Sequence, residues 1–228
     1  MTRPLIIAHR GAPGRRRENT VAGFLDAVAK GADWVELDLH RTRDGVLVVR
    51  HDFALGGKLI AECTLEEARR RARRDGIALP TLEEVLSALP ESVGLNVEIK
   101  APGIGRELAE LLGAHRASDR ALCTSFHFPT IAALAEVKPR VRTGLITTSR
   151  LLDPVEALRR ARAQVLGQEF HLVDAELVAA VRAGGFQCAA WTVNRRADLE
   201  RVITAGVDAI ITDYPARLVG LLSSRVVS

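Results

Sequence analysis

The regular alternation of short apolar runs with amphipathic stretches constrains the fold of this chain more than any other feature. The candidate strands are Leu5–His9, Trp34–Leu39, Leu95–Lys100, Ala121–Ser125, Thr143–Ile146, Val165–Glu169, Gln187–Thr192 and Ala209–Asp213. Helical patterns lie between them, among them Thr20–Lys30, Ile104–His115, Pro129–Val137, Pro154–Ala163, Ala175–Gly184 and Arg196–Gly206. Gly31, Gly184 and Gly206 fall where helix C-caps belong. Strands that alternate with helices build βαβ units and a parallel sheet. Hydrophobic residues make up 47 % of the chain and aromatic ones only 4 %, so the core must come from Val, Leu, Ile and Ala. That composition suits strands buried on both faces. No linker or low-complexity stretch divides the sequence, which reads as one domain over residues 1–228.

Eight such strands fit a closed barrel. The polar residues favour closure. His9 and Arg10, Glu36 and Asp38, Glu98 and Lys100, Ser125, Trp191 and Asp213 all lie at or near strand C-termini. In a barrel those ends converge on one face, where active sites sit. An open doubly wound sheet would scatter them along a line. The expected fold is therefore α/β, a (β/α)8 TIM barrel. One segment breaks the alternation: Val46-Leu47-Val48-Val49-Arg50 is β-like, but it follows the second strand too closely for a crossover helix. Asp44-Gly45 is a two-residue hairpin signal. The second strand is expected to overrun the rim, turn there and return antiparallel. Arg43 would then face Val46 and Asp38 would face His51, bringing His51 to the mouth beside Glu36 and Asp38.

Glu36 and Asp38 are two residues apart, so they share one face of a strand. Two carboxylates close together near a core repel each other and are costly to desolvate. A divalent cation removes both problems, and Glu98 offers a third oxygen from the neighbouring strand. Three carboxylates suit a hard ion, Mg2+ or Ca2+. The alternative is an ion pair with Arg10 or Lys100. His9 and His51 converge on this cluster. Phosphodiester cleavage needs a base for the nucleophile and an acid for the leaving alkoxide, and histidine fills both roles near neutrality. Arg10 and Lys100 could add positive charge for phosphate oxygens. Asp52 could orient an imidazole or form a turn.

The net charge of +4 favours anionic partners without pointing to nucleic acid, and no nucleic-acid partner is expected. The basic run Arg69-Arg70-Arg71-Ala72-Arg73-Arg74 follows Thr64-Leu65-Glu66-Glu67, a capping-box signature. It reads as a solvated helix face or a contact for phosphorylated head groups; Arg15-Arg16-Arg17 carries the same two readings nearer the site. Three cysteines, Cys63, Cys123 and Cys188, form no disulfide or zinc pattern and read as free thiols. The N-terminal apolar run is too short for a signal peptide, and no segment approaches the ~20 apolar residues needed to cross a bilayer. A soluble cytoplasmic protein is expected.

The order of motifs extends this reading. His9-Arg10-Gly11, Glu18-Asn19-Thr20, Glu36-Leu37-Asp38, Thr42-Arg43-Asp44-Gly45 and Val48-Val49-Arg50-His51-Asp52 occur in succession. Pro80-Thr81-Leu82-Glu83-Glu84-Val85-Leu86, Glu98-Ile99-Lys100, Ser125-Phe126, Trp191-Thr192-Val193-Asn194 and Thr212-Asp213-Tyr214-Pro215 follow. Over essentially the whole chain this resembles the glycerophosphodiester phosphodiesterase family, barrel enzymes similar to phosphatidylinositol phospholipase C. The resemblance implies His9 and His51 as the acid–base pair and Glu36, Asp38 and Glu98 as metal ligands. It implies Arg10 and Lys100 as phosphate-binding residues, with Phe126 and Trp191 lining a glycerol pocket. It also implies a small-molecule glycerophosphodiester substrate, cleaved through a cyclic phosphate. No particular oligomeric state is implied. Two departures alter the pocket: Phe53-Ala54-Leu55-Gly56-Gly57-Lys58 replaces the Arg-Thr pair and glycine usual after His-Asp, and His127 stands where Asp or Asn usually follows Ser-Phe. A related reading is a lysophospholipase D-like or other alkyl phosphodiesterase, for which Phe53, Leu55 and Phe128 are candidates for an apolar ramp. A third is a catalytically idle phosphate-binding protein.

Overall fold

The computed structural model describes residues 3–11, 18–137 and 140–224. The strands are β1 (Leu5–Ala8), β2 (Trp34–Arg41), β3 (Leu47–Val49), β4 (Ala54–Leu55), β5 (Lys58–Leu59), β6 (Gly94–Ile99), β7 (Ala121–Ser125), β8 (Arg142–Thr147), β9 (Val165–Glu169), β10 (Gln187–Trp191) and β11 (Ala209–Thr212). The helices are α1 (Val21–Ala29), α2 (Leu65–Arg74), α3 (Leu82–Ala88), α4 (Gly105–Ala114), α5 (Phe128–Val137), α6 (Pro154–Ala161), α7 (Ala175–Ala183), α8 (Arg196–Ala205) and α9 (Pro215–Ser224). Around the ring the order is β1, β2, β6, β7, β8, β9, β10, β11, and β11 returns to β1. All eight neighbours pair in parallel, so the chain forms a closed (β/α)8 barrel.

Alternation along each strand sorts the side chains. Val35, Leu37 and Leu39 of β2 and Leu95, Val97 and Ile99 of β6 point outward into one shell with the helices. Each buried leucine there contributes about 1.5–3 kcal/mol by leaving water. Ile6, Leu145, Leu166, Cys188, Ala190 and Ile210 do the same on the other half of the ring. The inward positions carry Ile7, Leu122, Val165, Ala189 and Ile211 lower in the barrel, with polar residues above them. Helix starts follow the sequence signals: Thr20 Oγ1 accepts from Gly23 N at 3.0 Å, and Thr64 and Thr81 both close capping boxes.

The hairpin after β2 forms, but its register differs by one residue from the sequence expectation. β3 pairs Leu39 with Val49, His40 with Val48 and Arg41 with Leu47. The turn holds three residues, because Gly45 adopts φ +87° and Thr42, not Arg43, faces Val46 through a 2.9 Å backbone bond. A left-handed glycine that ends a three-residue loop is a stable alternative to the two-residue turn. Asp38 consequently lies opposite Arg50, whose N–H donates to the Asp38 carbonyl at 2.9 Å, and His51 lies one residue further on.

Candidate active site

The β-strand ends bring the carboxylates together as expected. Asp38 on β2 is paired in register with Glu98 on β6, and Glu36 points the same way two residues earlier. One oxygen from each of the three lies within 4.8 Å of the others. Asp38 Oδ2 accepts from Asn19 Nδ2 at 2.8 Å and lies 3.2 Å from Arg10 Nε, while its Oδ1 lies 3.1 Å from Lys100 Nζ. Lys100 also pairs with Glu98. The ion-pair alternative is thus realised at Asp38 and Glu98. Glu36 has no cationic side chain as partner among the described residues; its Oε2 accepts only the Arg10 N–H, at 2.9 Å. Burial, then the charge of Asp38, pushes the Glu36 carboxyl up to about 8. Burial also lifts Glu98, more than Lys100 lowers it. Asp38 feels the same burial, but Lys100, Arg10 and Asn19 outweigh it and hold the carboxyl below its ordinary value.

The donor set fits a hard divalent cation. It consists of oxygens alone, and burial together with the neighbouring Asp38 charge gives Glu36 a high proton affinity. Asp38 Oδ1 is also buried without a well-formed hydrogen bond despite the nearby ammonium. Glu36, Asp38 and Glu98 are the residues that could hold such an ion.

Each histidine is backed by an aspartate. His9 follows β1, and its Nδ1 lies 2.7 Å from Asp213 Oδ1 at the end of β11. Asn194 Nδ2 donates to Asp213 Oδ2 at 2.6 Å, and Asn194 Oδ1 accepts from Asp213 N at 2.9 Å. Burial lowers the His9 pKa, but the Asp213 hydrogen bond and the Glu36 charge outweigh it, for a net rise. His51 Nδ1 lies 3.1 Å from Asp52 Oδ1, and Arg50 binds the other Asp52 oxygen. Of the two expectations for Asp52, the imidazole contact is the one present. In both pairs the engaged nitrogen is Nδ1, which leaves Nε2 for the mouth.

One cavity of about 160 Å³ unites most of these groups: His9, Arg10, Glu36, His51, Glu98, Lys100, Phe126 and Trp191 all line it. Asp38 lies buried beside it at 1 % exposure. Phe126 meets Trp191 edge to face at 5.3 Å, and Trp191 Nε1 donates to the Gly167 carbonyl at 3.0 Å. The expected ramp is not assembled as written. Leu55 is buried and Phe128 packs against the outer core, leaving only Phe53 exposed. Arg69 pairs with Glu84 at 2.6 Å and Arg71 reaches the Gly56 carbonyl, while Arg70, Arg73 and Arg74 are exposed on α2. Arg15-Arg16-Arg17 lie outside the described residues.

Several supporting residues were not singled out from sequence. Asn19 grips Asp38 twice, through Nδ2 and through Oδ1, which accepts from Asp38 N at 3.2 Å. Arg50 is 2 % exposed and sits between Asp52 and Glu18. His40 is buried with its pKa lowered to about 4 by burial, against the opposing His51 carbonyl 3.4 Å from its Nε2. Arg10 and Asn19 take φ of +52° and +56°, and Gly11 takes +79°. A Cβ on Gly11 would lie 2.5 Å from Phe24 Cδ1, so glycine there lets the loop fold under Arg10.

A parallel barrel with two histidine–aspartate pairs around a carboxylate cluster at its C-terminal face defines a barrel hydrolase with a candidate metal centre. The sequence profile of the glycerophosphoryl diester phosphodiesterase family matches residues 9–217. A glycerophosphodiester phosphodiesterase of Caldanaerobacter subterraneus subsp. tengcongensis is 34 % identical, over 96 % of this chain and 97 % of its own length. One from Bacillus altitudinis is 32 % identical, over 94 % of this chain and 96 % of its own. A phosphodiesterase from Oleispira antarctica, solved in complex with the product sn-glycerol-3-phosphate, superposes with a TM-score of 0.85 at 26 % identity and covers 97 % of both chains. The chain belongs to the glycerophosphoryl diester phosphodiesterase family and is a phosphoric diester hydrolase.

Proposed function

We propose that the enzyme hydrolyses glycerophosphodiesters to glycerol 3-phosphate and the head-group alcohol, with His9 and His51 as the acid–base pair. The observation that carries this reading is the pairing of each imidazole with an aspartate at Nδ1, on either side of the Glu36–Asp38–Glu98 cluster. The glycerol hydroxyl next to the ester attacks phosphorus, and His9 Nε2 takes its proton. The bond from phosphorus to the head-group oxygen breaks, and His51 Nε2 protonates that oxygen. A five-membered cyclic phosphate results. Water then opens the ring: His51 takes the water proton and His9 returns its proton to the glycerol oxygen. Asp213 and Asp52 fix the tautomers by holding Nδ1–H. A divalent cation, Mg2+ or Ca2+, held by Glu36, Asp38 and Glu98 would supply positive charge to the non-bridging oxygens. Arg10 and Lys100 add fixed positive charge at the same cavity, and Phe126 and Trp191 pack against the glycerol carbons.

No helix among the described residues is long and apolar enough to cross a membrane. The three cysteines are free and buried, which suits a reducing compartment and supports a cytoplasmic location. The test is release of glycerol 3-phosphate from glycerophosphocholine by protein stripped with EDTA, then supplied with Mg2+ or Ca2+. Turnover that disappears on stripping and returns with either ion is the expected result. Undiminished turnover after stripping would remove the metal from the account, and absence of turnover with both ions would remove this substrate.

A further inference from the structure

Behind each histidine stands an aspartate, and behind each aspartate a third side chain. For His9 the third group is Asn194, which donates to Asp213 Oδ2 at 2.6 Å. For His51 it is Arg50, whose Nη2 binds Asp52 Oδ2 while Asp52 Oδ1 faces His51 Nδ1 at 3.1 Å. The second pair stands further into solvent, with His51 39 % and Asp52 41 % exposed. Exposed charged partners hold one another weakly. The geometry of the His51 pair therefore depends on what grips Asp52 from behind.

Arg50 is placed to provide that grip. Its backbone N–H donates to the Asp38 carbonyl at 2.9 Å, which ties it to β2 beside the carboxylate cluster. Its side chain is 2 % exposed, and no larger side chain among the described residues is so fully buried. Nη1 lies 4.0 Å from Glu18 Oε1, and the other Glu18 oxygen lies 3.4 Å from Arg10 Nη1. Arg50 thus joins the segment that binds Arg10 to the aspartate behind His51. The position is a costly one for a cation. Nε and Nη1 have no hydrogen-bond acceptor among the described residues, and buried N–H groups left unmatched destabilise a fold. Apolar side chains of similar volume often replace buried ion pairs at no loss of stability. Packing alone does not favour arginine here. What the guanidinium adds is a rigid, charged donor fixed on Asp52.

We infer that Arg50 is a positioning residue for the acid step: it clamps Asp52 so that the carboxylate holds His51 Nδ1–H and keeps Nε2 aimed at the leaving oxygen. Its purpose rests on the reading of His51 as the acid, but the clamp itself is measured without turnover.

The experiment compares wild type, Arg50→Met and Arg50→Lys in two ways. Nitrogen NMR of the full chain at about pH 8, where an ordinary imidazole is neutral, reads the His51 tautomer, and His51→Ala identifies its signals. Wild type should show Nδ1–H. Arg50→Met should move much of the population to Nε2–H, the form favoured once the Nδ1 partner is lost. Rapid mixing with Mg2+ or Ca2+ present then reads the first turnover, before ring opening, as choline release from glycerophosphocholine and nitrophenol release from glycerophospho-p-nitrophenol. Arg50→Met should slow choline release by about 10–10²-fold and nitrophenol release much less, because only the alkoxide needs a proton at departure. Arg50→Lys keeps the charge beside Glu18 without the planar fork and should fall between the two in both readouts; it carries the test should the methionine variant not fold. A His51 tautomer unchanged in the variants would overturn the inference, as would equal slowing of both esters. A tautomer that shifts as predicted, in a protein whose wild type turns over neither ester, would leave the clamp standing and refute the functional reading instead.

Discussion

The proton on Glu36 gives the carboxylate cluster a quantitative signature. Its carboxyl is raised to about 8 by burial and by Asp38, whereas Asp38 is held ionised by Lys100 and Arg10. A metal ion binds the ionised form. At pH 7 a group with a pKa of about 8 is about nine-tenths protonated, so binding one ion should release about 0.9 proton from Glu36. Glu98 is shifted in the same direction by burial. Removing that proton costs about 1.4 kcal/mol at pH 7, which weakens apparent affinity about tenfold relative to the alkaline plateau. Affinity should thus climb about tenfold per pH unit up to about pH 8 and then level off. Isothermal titration of Mg2+ or Ca2+ into stripped protein, in buffers of different ionisation enthalpy, reads the proton count directly. Glu36→Gln should bind the ion more weakly and lose most of the proton release. A release below about 0.3 proton in wild type at pH 7 would mean that Glu36 is already ionised without metal, and the electrostatic argument would be wrong.

Two further substitutions probe the scaffold around the site. Asp213→Asn removes the partner of His9 Nδ1 and should lower kcat by about 10²–10⁴, by analogy with the orienting aspartate of a hydrolase triad. Its effect on stability should depend on pH. The pair raises His9 and lowers Asp213. The histidine contribution is present below the unfolded pKa and lost as pH rises through the raised folded value. The aspartate contribution is present above its unfolded pKa and lost as pH falls through the lowered one. Denaturant titration should therefore show the largest loss near about pH 5–6 and a smaller one at about pH 8; a loss that grows with pH would contradict the pairing. Gly11→Ala places a methyl against Phe24 at a φ of +79° and should destabilise by about 2–4 kcal/mol, with a loss of activity as Arg10 shifts. An alanine variant of unchanged midpoint and activity would show that the loop relaxes freely.

The barrel was legible because its determinants are local. Apolar runs of strand length, the capping box at Thr64, and glycines after helices are all read within a few residues. The carboxylates were legible for the same reason: a spacing of two fixes a shared face. The hairpin register was misplaced by one because Asp44-Gly45 also fits a three-residue turn, and the choice depends on Gly45 adopting a left-handed conformation with Thr42 facing Val46. That single shift sets Arg50, not His51, opposite Asp38. The partners of the histidines were harder to assign. His9 and Asp213 meet only where the barrel closes, 204 residues apart in sequence, and Asn194 joins them from a third loop. Asn19 stands within the Glu18-Asn19-Thr20 motif, but its double grip on Asp38 depends on how the loop after β1 folds back over β2.

The assignment of His51 as the acid is tested most directly by changing the leaving group. Wild type and His51→Ala should be compared on glycerophosphocholine, which must expel an alkoxide, and on glycerophospho-p-nitrophenol, which expels a stable phenolate. In the first turnover, before ring opening, the variant should release choline about 10²–10⁴ more slowly than wild type and lose much less in nitrophenol release, where no proton is needed at departure. Equal losses on both substrates would contradict the role assigned to His51, and retained activity on the choline ester would remove it from the catalytic pair.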